Sequence, residues 1–141
     1  MTFLLDTNVI SEWTKPRPDS GLIAWLAAVD EDRTFISVVT LAEIRYGIAR
    51  AARGRRRDRL EAWLRDELPL RFEGRVLPID AVTADAWGEI SARASTAGRP
   101  IHAMDAFLAA TAAVHGLTLV TRNASDFQAV GTPVLTPWTG N

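Results

Sequence analysis

The chain has no cysteine and only two histidines among its 141 residues. The lack of cysteine excludes a disulfide scaffold, a thiolate zinc site and a cysteine nucleophile. It is compatible with a reducing cytosol. Charge of one sign is lacking too: 16 Lys and Arg face 17 Asp and Glu, a net charge of −1. Any attraction to nucleic acid or membrane must therefore come from a local patch. There is no long apolar run. The longest, Ala103 to Val114, is interrupted by Asp105 and falls short of the ~20 residues that span a bilayer. Only five residues precede Asp6, which leaves no room for a signal peptide. These absences predict a soluble, cytoplasmic protein with no membrane partner.

What is present predicts a single folded domain over residues 1–141. Nearly half the residues are apolar, at 48%, and charges of both signs are interspersed. Phe3-Leu4-Leu5 reads as a short buried strand. Asp6 falls at its carboxyl end, and Thr7 and Asn8 can cap a helix through Val9, Ile10 and Trp13. A turn-rich break at 15–21 precedes a helix carrying Leu22, Ile23, Leu26 and Val29. Residues 34–39 read as a second strand, with Thr40 opening a helix through Leu41, Ile44 and Ile48. Gly54 separates that helix from another over 55–68, which ends before Pro69. Residues 75–80 read as a third strand, placed at a sheet edge by Pro78. Helices over 83–97 and 102–115 follow, each stopped by a glycine. Strands at 117–121 and 134–135 complete the chain. Strands alternate with helices, which predicts parallel βα units in a three-layer α/β/α sandwich with a mainly parallel sheet.

In such sheets ligands bind outside the carboxyl ends of the strands. Asp6 follows strand one, Glu43 lies in the first turn after strand two, and Asp105 opens the helix before strand four. Asn123 and Asp126 come just after strand four. Asp6, Glu43 and Asp105 are expected to converge within the distance of a shared metal ion, because gathered carboxylates repel one another unless they share a cation. Hard oxygen ligands favour Mg²⁺ or Mn²⁺ over Zn²⁺. Each acid also has a plainer role. Thr40-x-x-Glu43 matches a capping box. Asp6 matches a helix cap, Asp105 a dipole partner, and Asn123 and Asp126 turn residues. Asp105 fits its plain role least, since Ile101, Leu108 and Ala112 share its helical face and an unpaired carboxylate there is costly. His102 reads as a helix-start residue near the site and His115 as structural. The tryptophans read as core.

Four motifs carry a resemblance: Leu4-Leu5-Asp6-Thr7-Asn8-Val9-Ile10, Ser37-Val38-Val39-Thr40-Leu41-Ala42-Glu43-Ile44, Asp105-Ala106-Phe107-Leu108-Ala109-Ala110 and Leu119-Val120-Thr121-Arg122-Asn123-Ala124-Ser125-Asp126-Phe127. In order and spacing they resemble PIN-domain ribonucleases, and within them the VapC toxins (FitB-like) of type II toxin–antitoxin pairs. The resemblance implies a metal-dependent endoribonuclease that hydrolyses single-stranded RNA and leaves a 5′-phosphate. Asp6, Glu43 and Asp105 match its three metal-site acids. The fourth position is shared between Asn123, which has a carbonyl to offer a metal, and Asp126. Thr7 and Thr121 resemble the family's polar residues that hydrogen-bond the acids, with Asn8 beside them. It also implies a cognate VapB-like antitoxin and a homodimer. Arg45, Arg50, Arg53, Arg55, Arg56, Arg57 and Arg59 crowd one stretch. Arg55, Arg56 and Arg57 are candidates to hold RNA phosphates or acidic antitoxin residues; the alternative is a solvated edge.

Two rival readings remain. An Asp-nucleophile phosphohydrolase of the haloacid-dehalogenase type would have Asp-x-Asp after the first strand, where this chain has Asn8 in the third position. A catalytically silent RNA-binding α/β module would show no metal-dependent turnover.

Overall fold

The structure, a computed structural model, describes residues 1–140. Five strands form one sheet in the order β3-β2-β1-β4-β5, and all neighbours are parallel. They are β1 (Phe3–Leu5), β2 (Thr34–Ser37), β3 (Val76–Leu77), β4 (Thr118–Val120) and β5 (Val134–Leu135). Eight helices connect them: α1 (Thr7–Trp13), α2 (Ser20–Ala28), α3 (Val38–Arg50), α4 (Arg55–Ala62), α5 (Leu68–Arg71), α6 (Ala81–Thr96), α7 (Ala103–His115) and α8 (Ala124–Gln128).

Side chains alternate across a strand, so each short strand feeds both faces of the sheet. Phe3, Leu5, Ile36 and Val120 face a core shared with α1, α2, α3 and the α4–α5 segment. Leu4 and Leu119 face a second core with α6, α7 and α8. Two buried faces make three layers, as the alternation of elements predicts. Chain order runs outward from β1 through β2 to β3, then returns to the far side of β1 for β4. The switch point lies between β1 and β4, so their carboxyl ends border a crevice.

Three boundaries differ from the sequence reading. Strand two ends at Ser37, because the Ser37 hydroxyl accepts from the Val39 backbone N–H at 3.0 Å and caps α3. The β-branched pair Val38-Val39 thus opens a helix. Thr40 is buried inside it, the Thr40–Glu43 capping box does not form, and Glu43 lies in the second turn. Asp80 caps α6 by accepting from the Thr83 N–H, so that helix starts at Ala81.

The third difference concerns Pro69. The helical path from Arg55 runs past it to Arg71, through a π-helical turn at Trp63–Glu67. Proline removes a donor and crowds the carbonyl four residues back. The wider turn, in which the Leu68 N–H reaches the Trp63 carbonyl, directly precedes it.

A strap closes the molecule. Asp19 caps α2 by accepting from the Leu22 N–H at 3.0 Å, and it also accepts from the backbone N–H and the hydroxyl of Thr139. Beside it, Gly21 lies so close to the strap that a Cβ would sit 2.5 Å from the Pro137 carbonyl oxygen. Between these contacts Trp138 is pressed into the first core.

Candidate active site

Asp6 sits where β1 ends and α1 begins. Its backbone N–H extends the sheet by donating to the Val120 carbonyl at 2.9 Å. Its side chain is the N-cap of α1: Oδ1 accepts from the Thr7 N–H at 2.6 Å. The cap is therefore Asp6 itself, with Thr7 and Asn8 inside the helix. Oδ2 accepts from the Thr121 hydroxyl at 2.7 Å and from Asn8 Nδ2 at 3.3 Å. The Thr121 hydroxyl in turn accepts from the Asn123 N–H at 3.0 Å. Asn8 Oδ1 accepts from the Arg122 N–H at 3.3 Å. These bonds tie the carboxyl ends of β1 and β4 together across the switch point.

Thr7 reaches the other way. Its hydroxyl donates to Glu43 Oε1 at 2.6 Å and lies 3.2 Å from the Thr40 hydroxyl. Thr40 was not foreseen as part of this network. The signal was available in its spacing, since Thr40 and Glu43 are neighbours on a helix that starts at Val38. Asp105, in the first turn of α7, is half-buried, and Asp126, in the first turn of α8, is exposed. His102 caps α7, its Nδ1 accepting from the Met104 N–H at 3.3 Å.

The acids feel one another. Asp6 is only 6% exposed. Burial raises its pKa to about 6 against the bonds from Thr121 and Thr7, and the charges of Asp105 and Glu43 push the same way. Asp105 is also raised, first by burial, then by Asp126 and, more weakly, Glu43, with His102 opposing. Four carboxylates from α1, α3, α7 and α8 therefore share one electrostatic neighbourhood.

They do not yet share one point. Among the described residues, no three His, Asp or Glu side chains come together closely enough to form a ready-made metal-ligand group. The expected shared-metal distance is thus not met by the side chains as they stand. The oxygens of Asp6 turn to Thr7 and Thr121, Glu43 turns to Thr7, and like charge opposes closer approach. The donor set still fits a hard cation. It is all oxygen, and Mg²⁺ keeps several waters and takes only one or two carboxylates from a protein.

The arginines divide. Arg57 is held inside the fold, donating to Glu61 Oε1 and to the Ala51 carbonyl, both at 3.2 Å. Arg55 and Arg56 are exposed and, like Arg53 and Arg59, form no ion pair among the described residues, so they are free to meet a ligand.

The raised pKa of Asp6 has a measurable consequence. The folded chain holds a proton on Asp6 up to about pH 6, whereas the unfolded chain releases it near 3.8. Stability from this group is present at low pH and is lost as pH rises through 6. In EDTA, wild type should gain stability relative to Asp6→Asn between pH 7 and pH 4.5, by about 2 kcal/mol. Urea unfolding of both proteins across that range is the measurement, and parallel curves would contradict it.

Comparison with known proteins agrees with this geometry. The PIN domain family matches residues 3–132. The chain is 38% identical to VapC ribonuclease Y4jK of Sinorhizobium fredii over 135 residues, covering 96% of each. It is 38% identical to Toxin FitB of Neisseria gonorrhoeae, covering 96% of this chain and 97% of that one. The solved structure of FitAB bound to an IR36 DNA fragment superposes with a TM-score of 0.92 at 36% identity, covering 99% of this chain and 98% of that one. With its acids gathered at the switch point of an all-parallel sheet, and a family match over nearly its whole length, this chain belongs to the PIN-domain family.

Proposed function

We propose that this chain is a metal-dependent endoribonuclease that hydrolyses single-stranded RNA, acting as the toxin of a VapBC-type toxin–antitoxin pair. The observation that carries the reading is the buried Asp6. Its carboxylate is fixed by Thr7 and Thr121 and raised in pKa beside Glu43 and Asp105. Carboxylates perturbed by burial and by neighbouring like charges cluster at functional sites. Membership of a family that contains a named VapC ribonuclease and a named toxin gives the activity its class.

Asp6, Asp105, Glu43 and the Asn123 carbonyl would hold Mg²⁺ or Mn²⁺. When bound, such a cation lowers the pKa of water and offsets charge on the phosphate oxygens. The chain's own residues do the rest. Thr7 and Thr121 hydrogen-bond the Glu43 and Asp6 carboxylates and set where their oxygens point. Glu43 keeps its second oxygen without a protein partner among the described residues, where it can orient or deprotonate a water. Asp126 lies at the exposed rim and adds negative charge that Arg55 and Arg56 would offset for an incoming RNA strand.

A long groove of about 1130 Å³ runs along α1, α4 and α5, with Trp13, Arg59, Trp63 and Arg71 among its walls. It has the volume to seat a segment of a VapB-like antitoxin, with apolar walls and both arginines and acids (Glu31, Asp66 and Glu67) on its lining. We also expect a homodimer, because Val38 and Tyr46 on α3 and Met104 on α7 leave apolar surface exposed; light scattering that finds a monomer at micromolar concentration would contradict it. No helix among the described residues is long and apolar enough to cross a membrane.

The test of the activity is cleavage of single-stranded RNA by the purified chain, with Mg²⁺ and with EDTA. Cleavage is expected with the metal and lost without it. Mn²⁺ should also raise the unfolding midpoint of wild type and not of Asp6→Asn. Cleavage that survives EDTA, or no cleavage of any RNA, overturns the reading.

A further inference from the structure

A second cavity opens between α1, α3 and α4 on the far side of Glu43 from Asp6. It measures about 270 Å³, and Ser11, Glu43, Gly47, Arg56, Leu60 and Trp63 are among its walls. We propose that this cavity holds a nucleobase of the RNA strand next to the cleaved phosphodiester, and so sets which base the enzyme accepts there. The proposal rests on the ribonuclease reading above and deepens it.

Its position is the first reason. Glu43 belongs to both places: Oε1 accepts from Thr7 beside Asp6, while the same side chain forms one wall of the cavity. A strand whose phosphate lies over the acids therefore has a neighbouring base within reach of the opening. Its chemistry is the second. Trp63 and Leu60 give an aromatic and apolar surface on which a base can stack, and Arg56, also on its lining, gives a cation without an ion pair among the described residues for a phosphate. Ser11 supplies a hydroxyl that can read the polar edge of a base, where a site built to hydrogen-bond discriminates most strongly. The size is the third. The cavity is smaller than the ~300–1,000 Å³ typical of drug-sized ligands, and it suits one base rather than a peptide segment, for which the adjoining groove is the longer bed.

Gly47 is the fourth reason. It lies in the middle of α3, where glycine weakens a helix relative to alanine. Its φ is not positive. A Cβ placed on it would meet nothing within 4 Å. Neither backbone conformation nor close packing requires glycine here. What the missing side chain does is leave the cavity open.

The position can therefore be filled without disturbing the fold. Fluorescent ten-residue RNAs of A, C or U are titrated in EDTA against Asp105→Asn, whose cutting is expected to be too slow to matter during the titration, and against the same protein carrying Gly47→Leu or Gly47→Ala. Asp105→Asn is expected to rank the three RNAs. Gly47→Leu should erase the ranking and weaken the preferred RNA by about tenfold, with Gly47→Ala between the two. Placed in the otherwise wild-type chain, Gly47→Leu should leave the Mn²⁺-induced rise in the unfolding midpoint unchanged, since it alters none of the residues that would hold the metal. A folded Gly47→Leu with unchanged RNA affinity and ranking overturns the proposal. So does a Gly47→Leu that loses only the binding of a co-expressed protein partner, which would assign the cavity to that partner. If Gly47→Leu fails to fold, Gly47→Ala decides by the same criterion. Wild type that cuts no RNA fails the ribonuclease reading, and this one with it; RNA cut with the same flanking-base preference in both Gly47 variants fails this one alone.

Discussion

Asp105→Asn should lower the rate of RNA cleavage by about 10²–10³-fold, the scale for losing one electrostatic contributor to a reacting phosphate. The change keeps the shape and removes the charge. Asp105 is half-buried at the start of α7, with Leu108 and Ala112 of the same helical face packed beneath it. Burial and the charges of Asp126 and Glu43 already raise its pKa against the pull of His102. Neutralising it therefore relieves repulsion, and the unfolding midpoint should hold or rise while activity collapses. That opposition separates a working acid from a structural one. A variant that cuts RNA at the wild-type rate would remove Asp105 from the mechanism. One that merely unfolds would return it to the helix dipole.

The second large effect is on stability. Trp138→Ala should cost about 3–5 kcal/mol, as for other buried aromatic side chains cut back to alanine. Trp138 is 5% exposed in the core that contains Leu5, Ile10 and Leu22. Its indole N–H is buried without a hydrogen-bond partner among the described residues. Trp138→Phe removes that donor and keeps most of the ring, so it should cost much less than the alanine variant. Urea unfolding of both variants checks the pair. Equal losses would mean that the strap is held by Asp19 and Thr139 rather than by the ring.

The sheet was legible because β1 is three apolar residues ended by an acid and β4 repeats the pattern with a threonine. Three of the four acids could be placed for the same reason, since a parallel sheet brings all its carboxyl ends to one edge. The start of α3 was not legible. Val38 and Val39 favour strands by propensity, and a single hydroxyl, that of Ser37, decides against them. The passage of the helix beyond Pro69 depends on a π-helical turn, which no local residue preference announces. The strap was hidden for a different reason. Its partners Asp19 and Thr139 are 120 residues apart in sequence, and the close approach at Gly21 exists only in three dimensions. Charge brings the acids to one neighbourhood, while Thr7 and Thr121 decide where their oxygens point.

The strap also sets an order of events. Chains emerge from the ribosome amino end first, and early segments can begin to fold as they appear. Asp6, Glu43 and Asp105 all precede Trp138, so every acid of the site has been made before the residue that fills the core beneath α1 and α2. Until Thr139 has been released and can reach Asp19, the helix that Asp19 caps lacks its outer fastening and the core holds a gap the size of an indole. The nascent protein is complete in its chemistry before it is complete in its packing. A cell that makes a nuclease in this way has an interval, before Trp138 and Thr139 have emerged, in which the chain is expected to be softer to proteases than the finished molecule.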